Sequence, residues 1–144
     1  MIIGEAPGKD EDKTGRPFVG SAGRYLDHVL EGSGIDRDDF FITNIVKCRP
    51  EANRIPKTLE VDTCVENYLA RQIEWIDPAI VLLLGSVAAK KLLGIKKVED
   101  ARGKWIEKDG RKYLVTYHPA VRFYREDLAL KLVKAEMKTL AEPA

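Results

Sequence analysis

The chain predicts one three-layer α/β/α domain over residues 1–144, with helices on both faces of a mainly parallel sheet. Short β-branched or aromatic runs alternate along it with segments of helical spacing. Residues 80–84, Ile-Val-Leu-Leu-Leu, form a continuous apolar run, the signature of a strand buried on both faces. Three polar clusters, around Glu5, Asn44 and His118, each follow the end of a strand-like run. Ligands of such sheets sit beyond the strand carboxyl ends.

In order, residues 1–3 give a strand shorter than the usual five or six residues. A first helix starts at Ser21, a good N-cap, carries Ala22, Leu26, Val29 and Leu30 on one stripe, and stops at Gly32 and Gly34. His28 lies off that stripe and reads as a solvated surface residue. Residues 40–44 are aromatic and β-branched, hence a strand. From Glu60 the spacing of Val61, Cys64, Val65, Tyr68, Leu69, Ile73 and Ile76 marks one face of a long helix. After the strand at 80–84, Gly85-Ser86 turns into a helix through Leu93, stopped at Gly94. Residues 104–107 and 112–116 flank Asp109-Gly110, a strong hairpin signal. A last helix covers about residues 125–140, with Leu128, Leu130, Leu132, Val133, Met137 and Leu140 on its buried face.

The stretch from Gly4 to Gly23 holds glycines at 4, 8, 15, 20 and 23, prolines at 7 and 17, and a knot of acids. Glycine permits positive φ and close backbone approach, whereas proline fixes φ. Taken as a connector between strand and helix it is too long, and long loops in compact domains are usually functional. Glu5, Glu11 and Phe18 are placed in it for a ligand rather than for packing.

A net charge of +1 gives no global basic field, so a nucleic-acid partner needs a local patch. Lys47, Arg49, Arg54 and Lys57 crowd one loop and supply a candidate. No run approaches the ~20 apolar residues of a membrane span, and Glu5 and Lys9 interrupt any signal-peptide core. The chain reads as cytoplasmic, and its two cysteines, Cys48 and Cys64, suggest no disulfide framework.

Several chemistries are excluded. The phosphate-loop pattern fails at residues 4–10, where the glycines are too close and Asp10 stands in place of the magnesium-binding hydroxyl. No Ser or Cys occupies a nucleophile elbow. Two histidines and two cysteines without close pairing make no zinc site.

Taken together, G-E-A-P-G-x-x-E-D-x-x-G-x-P-F-V-G from Gly4, T-N-x-x-K-C-R-P from Thr43, N-R-x-P from Asn53, the later Cys64 and Y-H-P from Tyr117 resemble the family 4 uracil-DNA glycosylases. These form the iron–sulfur branch of their superfamily, and the match runs from Ile2 to the last helix. The resemblance implies a central four-stranded parallel sheet and hydrolysis of the N-glycosidic bond of deoxyuridine in DNA, leaving an abasic site. It implies that Phe18 stacks on the flipped base, with Ala6 beside it. Asn44 would read the base edge, and His118 would stabilise the departing base. Glu5 and Glu11 are the candidate carboxylates for the transition state or the water, their roles undivided. Pro119, Val121, Arg122 and Phe123 would form a loop that wedges into the duplex, with Lys47, Arg49 and Arg54 on the DNA backbone. The implied partner is uracil-containing DNA, with no membrane, and the chain acts as a monomer.

Members of that family carry a four-iron cluster on four cysteines, the first two in a C-x-x-C ahead of the first strand. Cys48 and Cys64 suit the third and fourth ligands, and no intact cluster is expected with these two alone. Either the reading frame is called too short or this member has lost the cluster, and the short first strand favours the former. Two other functions remain open from the residues: a non-catalytic nucleic-acid-binding relative of the same fold, and a nucleotide-binding enzyme using the glycine loop.

Overall fold

A computed structural model of the chain describes residues 1–123, 125–127 and 136–141. Its strands are β1 (Ile2–Gly4), β2 (Ile42–Asn44), β3 (Ile80–Leu84), β4 (Trp105–Lys108) and β5 (Arg111–Thr116). They form one sheet in the order β2-β1-β3-β5-β4. The first four in that order are parallel, with Ile2 opposite both Ile42 and Leu82, and Leu82 opposite Leu114. The sheet therefore has five strands among the described residues, not four. The extra one is β4, which the Asp109-Gly110 turn folds back antiparallel onto β5 at the sheet edge. Asp109 and Gly110 both take positive φ, +52° and +76°, as a tight primed turn requires.

Alternation along the strands separates two cores. Ile3, Val81, Leu83 and Val115 face one side, against Val61 and Leu69 and against Ala88 and Ala89 of α5 (Ser86–Leu93). Ile2, Leu82, Leu84 and Leu114 face the other, against Leu26, Val29 and Leu30 of α2 (Ser21–Gly32). Each of those α2 side chains is essentially inaccessible, and full burial of such a residue contributes about 1.5–3 kcal/mol. This is the three-layer arrangement the alternation predicts. A short final helix, Met137–Ala141, adds Met137 and Leu140 to the second core. Just before it, Glu136 is fully buried and ion-paired to Arg102 at 2.5 Å. Leu128, Leu130, Leu132 and Val133 of the expected last helix lie outside the described residues.

Two local expectations are corrected. The Gly4–Gly23 stretch is not all loop, because α1 (Lys9–Thr14) forms inside it. And the long helix from Glu60 is not uniform: α3 (Thr58–Cys64) passes through a π turn (Val65–Leu69) into α4 (Ala70–Ile76). A π turn inserts a residue into the helical repeat and slips its phase. Tyr68 and Ile76, expected on the buried stripe, are therefore 55% and 41% exposed.

Candidate active site

Each parallel strand ends by delivering one part of a cleft of about 770 Å³. β1 runs into Glu5 and Ala6, β2 ends on Asn44, β3 runs into Gly85-Ser86, and β5 runs into Tyr117-His118. All of these line the cleft, as the switch-point rule for open sheets predicts. Phe18 closes it from the loop before α2, its ring 5.7 Å from the His118 ring at 33°. Gly85 has φ of +95°, and a Cβ there would stand 3.2 Å from the His118 Cβ.

The loop that carries Phe18 is organised by Glu11. Its Oε1 accepts the Gly8 N–H at 3.0 Å, the return half of a capping box on α1. Its Oε2 accepts the Val19 and Gly20 N–H groups at 2.9 and 2.7 Å, at the start of α2. Burial pushes this carboxyl up, but the Gly20, Val19 and Gly8 amides outweigh it and hold the pKa below the usual value. Gly20, not Ser21, is the N-cap of α2, and this carboxylate satisfies the amides there.

Glu5 differs. Half-buried at the end of β1, it has its pKa raised by that burial, so it is the more basic of the two carboxylates. His118 is held neutral, because burial lowers its pKa to about 4. Its Nδ1 accepts the Ala120 N–H at 3.1 Å, so in the neutral ring Nε2 carries the proton and is a donor. Asn44 is 5% exposed, and its Oδ1 is buried without a hydrogen-bond partner. A buried orphan acceptor costs about 1–3 kcal/mol, which a donor on a ligand would recover. An aromatic face, an amide with a free acceptor, a neutral N–H donor and a basic carboxylate thus converge. They suit a flat heteroaromatic ring with a donor next to an acceptor, and charge developing as that ring departs.

The other sequence-predicted residues divide. Arg54 lines the cleft but is engaged bidentately by Glu60 at 2.7 and 2.9 Å. Arg49 donates to Asn53 at 2.8 Å. Lys47 points inward, donating to Thr43 Oγ1, the Asn44 carbonyl and Gln72 Oε1 at 2.7, 2.9 and 2.7 Å. Burial lowers its pKa to about 8, with Cys64 opposing. The basic loop is therefore largely paired within the protein. Beyond His118, Pro119 and Val121 are buried in a 3₁₀ turn (Pro119–Phe123), while Arg122 and Phe123 are exposed. The Arg122 guanidinium lies 4.9 Å from the Tyr25 ring centre.

Sequence reasoning missed Ser86, Lys96, Lys97 and Glu99 on the cleft rim. Ser86 was reachable from its place after β3, whereas the segment after Gly94 carries no signal.

Cys48 is exposed and Cys64 partly buried, and neither is in a disulfide. A four-iron cluster takes four ligands. Among the described residues no group of three or more His, Cys, Asp or Glu is placed to hold a metal ion. The two cysteines do not by themselves fit the cluster, and no step below passes through one. Among the described residues, no helix is long and apolar enough to cross a membrane.

A family model for the uracil DNA glycosylase superfamily matches residues 1–141. A type-4 uracil-DNA glycosylase of Pyrobaculum aerophilum is 44% identical over 131 residues, covering 83% of this chain and 65% of that protein. One from Sulfurisphaera tokodaii is 41% identical over 154 residues, covering 100% and 69%. One from Thermotoga maritima is 45% identical over 123 residues, covering 83% and 64%. The chain thus spans about two thirds of the length of these curated relatives.

Proposed function

The chain belongs to the uracil DNA glycosylase superfamily, in its type-4 branch, and on that footing we propose that it excises uracil from DNA by hydrolysing the N-glycosidic bond. The observation that carries the reading is Asn44, whose buried Oδ1 has no partner at the floor of the cleft. Uracil places a donor at N3 beside an acceptor at O4. The Asn44 amide complements both, with Oδ1 accepting from N3–H and the amide N–H donating to O4. The base must be flipped out of the duplex to reach this edge. Phe18 then stacks on its face, a grip worth about 1–3 kcal/mol.

As the C1′–N1 bond breaks, its electron pair leaves with uracil and spreads onto O2. The Nε2–H of neutral His118 donates there, stabilising the anion. The sugar left behind has oxocarbenium character, which a nearby carboxylate stabilises. Glu5 is that carboxylate. It also accepts the proton of the water that adds to C1′, and its raised pKa suits it to this. Glu11 is engaged by three amides and holds the loop instead. Outside the cleft, exposed Phe123 and Arg122 face the duplex that the base has left.

The protein, incubated with a uracil-containing oligonucleotide in EDTA and then treated with alkali, should yield strand breaks at the uracil position. Intact DNA at stoichiometric folded protein would overturn the reading.

A further inference from the structure

Phe18 holds a backbone conformation that its own chemistry disfavours. Its φ is +50°, in the left-handed region where a bulky side chain is strained. Two glycines make room for it. A Cβ on Gly4 would lie 2.4 Å from Phe18 Cζ, and one on Gly23 would lie 2.0 Å from the Phe18 carbonyl oxygen. Room permits a conformation but does not hold it.

The hold comes from outside the cleft. Arg37 opens the short 3₁₀ turn Arg37–Asp39, just after α2 in sequence. Its Nη2 donates to the Pro17 carbonyl at 2.6 Å and its Nη1 to the Phe18 carbonyl at 2.7 Å. Those carbonyls belong to the peptides before and after Phe18, so pinning both fixes the two torsions between them. The second hydrogen of Nη1 goes to Asp27 Oδ1 at 2.9 Å, which ties the guanidinium to α2. Arg37 itself does not line the cleft.

We propose that Arg37, anchored by Asp27, is a positioning residue that locks the strained Phe18 backbone and so presets its ring for stacking on the extruded base. This rests on the reading of Phe18 as the base-stacking residue. Arginine suits the task better than lysine, because its planar fork spreads these three bonds over two fixed nitrogens, a span that a single ammonium nitrogen does not reproduce.

The test is a double-mutant cycle in single-turnover uracil excision, using wild type, Arg37→Lys, Phe18→Ala and the double variant. Arg37→Lys keeps a cation beside Asp27, so the fold is retained, and a thermal melt checks it. The strain stored at such a residue corresponds to roughly a ten-fold loss of rate for Arg37→Lys in the wild-type background. If Arg37 acts through the Phe18 ring, the same change in the Phe18→Ala background should cost less than about two-fold. Arg37→Lys at the wild-type rate, or an equal loss in both backgrounds, overturns the inference alone. An inactive wild type, or Phe18→Ala at the wild-type rate, overturns the underlying reading and the inference with it.

Discussion

Replacing His118 by asparagine should remove a pH dependence of stability that the buried imidazole builds in. In the folded protein burial lowers this pKa from 6.5 to about 4. Between those values the unfolded chain binds a proton that the folded chain does not. Stability is therefore fully present above about pH 6.5 and falls as pH drops toward about 4. The two pKa values lie about 2.5 pH units apart, and at ~1.4 kcal/mol each this amounts to about 3 kcal/mol. That is a large share of the ~5–15 kcal/mol by which a domain is stable. Asparagine can present Oδ1 to the Ala120 N–H much as Nδ1 does now, and it does not titrate. Urea unfolding of both proteins from pH 7.5 to 4.5 gives the comparison. Contributions from Glu5 and the other titrating groups cancel in the difference. The stability of wild type relative to His118→Asn should fall by about 2–3 kcal/mol across that range. Parallel curves would refute the neutral buried ring, and with it the neutral donor assigned to O2 of the leaving base.

Three further outcomes follow from the same geometry. Asn44→Asp should lose most uracil excision and gain slow excision of cytosine, faster at low pH, because a carboxylate accepts from the cytosine amino group where the amide donated to O4. Leaving two buried groups unpaired costs several kcal/mol at ~1–3 kcal/mol each, and near-native uracil activity with none on cytosine would show that Asn44 does not read the base. Glu11→Gln should destabilise the fold by about 1–3 kcal/mol, since an amide N–H would face a backbone N–H. Glu5→Gln should leave the melting temperature close to wild type while slowing the single-turnover rate about 100-fold. The reverse pattern in melts and rates would exchange the roles of the two carboxylates.

The layers and the strand ends were legible because they rest on periodicity and on turn chemistry. Ile80–Leu84 reads as a doubly buried strand and is one, with Val81 to Leu84 inaccessible. Asp109-Gly110 announces its hairpin through the φ values it must adopt. α1 was hidden because Lys9–Thr14 is polar throughout and buries nothing, so no stripe marks it. Its only signals were Glu11 three residues after Gly8, and Gly15 ending it with φ of +73°. Tyr68 was misplaced because a π turn leaves no compositional trace. Within the site, residue types were legible and their partners were not. Glu5 and Glu11 are the same residue type in the same stretch, separated by burial at Glu5 and by the amides that reach Glu11. The basic residues of the Cys48 loop looked free for DNA, yet Lys47 is held by Gln72, 25 residues on, and Arg54 by Glu60, 6 residues on in the next helix.

The strand order sets when the cleft can exist during synthesis. Of these five strands β1 comes first in the sequence but lies inside the sheet, pairing Ile2 with Ile42 on one side and with Leu82 on the other. The last wall, His118, follows β5, whose register with β3 aligns Leu114 with Leu82. Each of these pairings must close a long loop before it gains any contact, which slows folding and raises contact order. A nascent chain that has not yet delivered β3 holds its first strand without a central partner. One that has not delivered β5 holds Glu5 and Asn44 without the histidine. The cleft is therefore complete only once the far strands have docked, and a chain stalled before that carries Glu5 and Asn44 in a site with one wall missing.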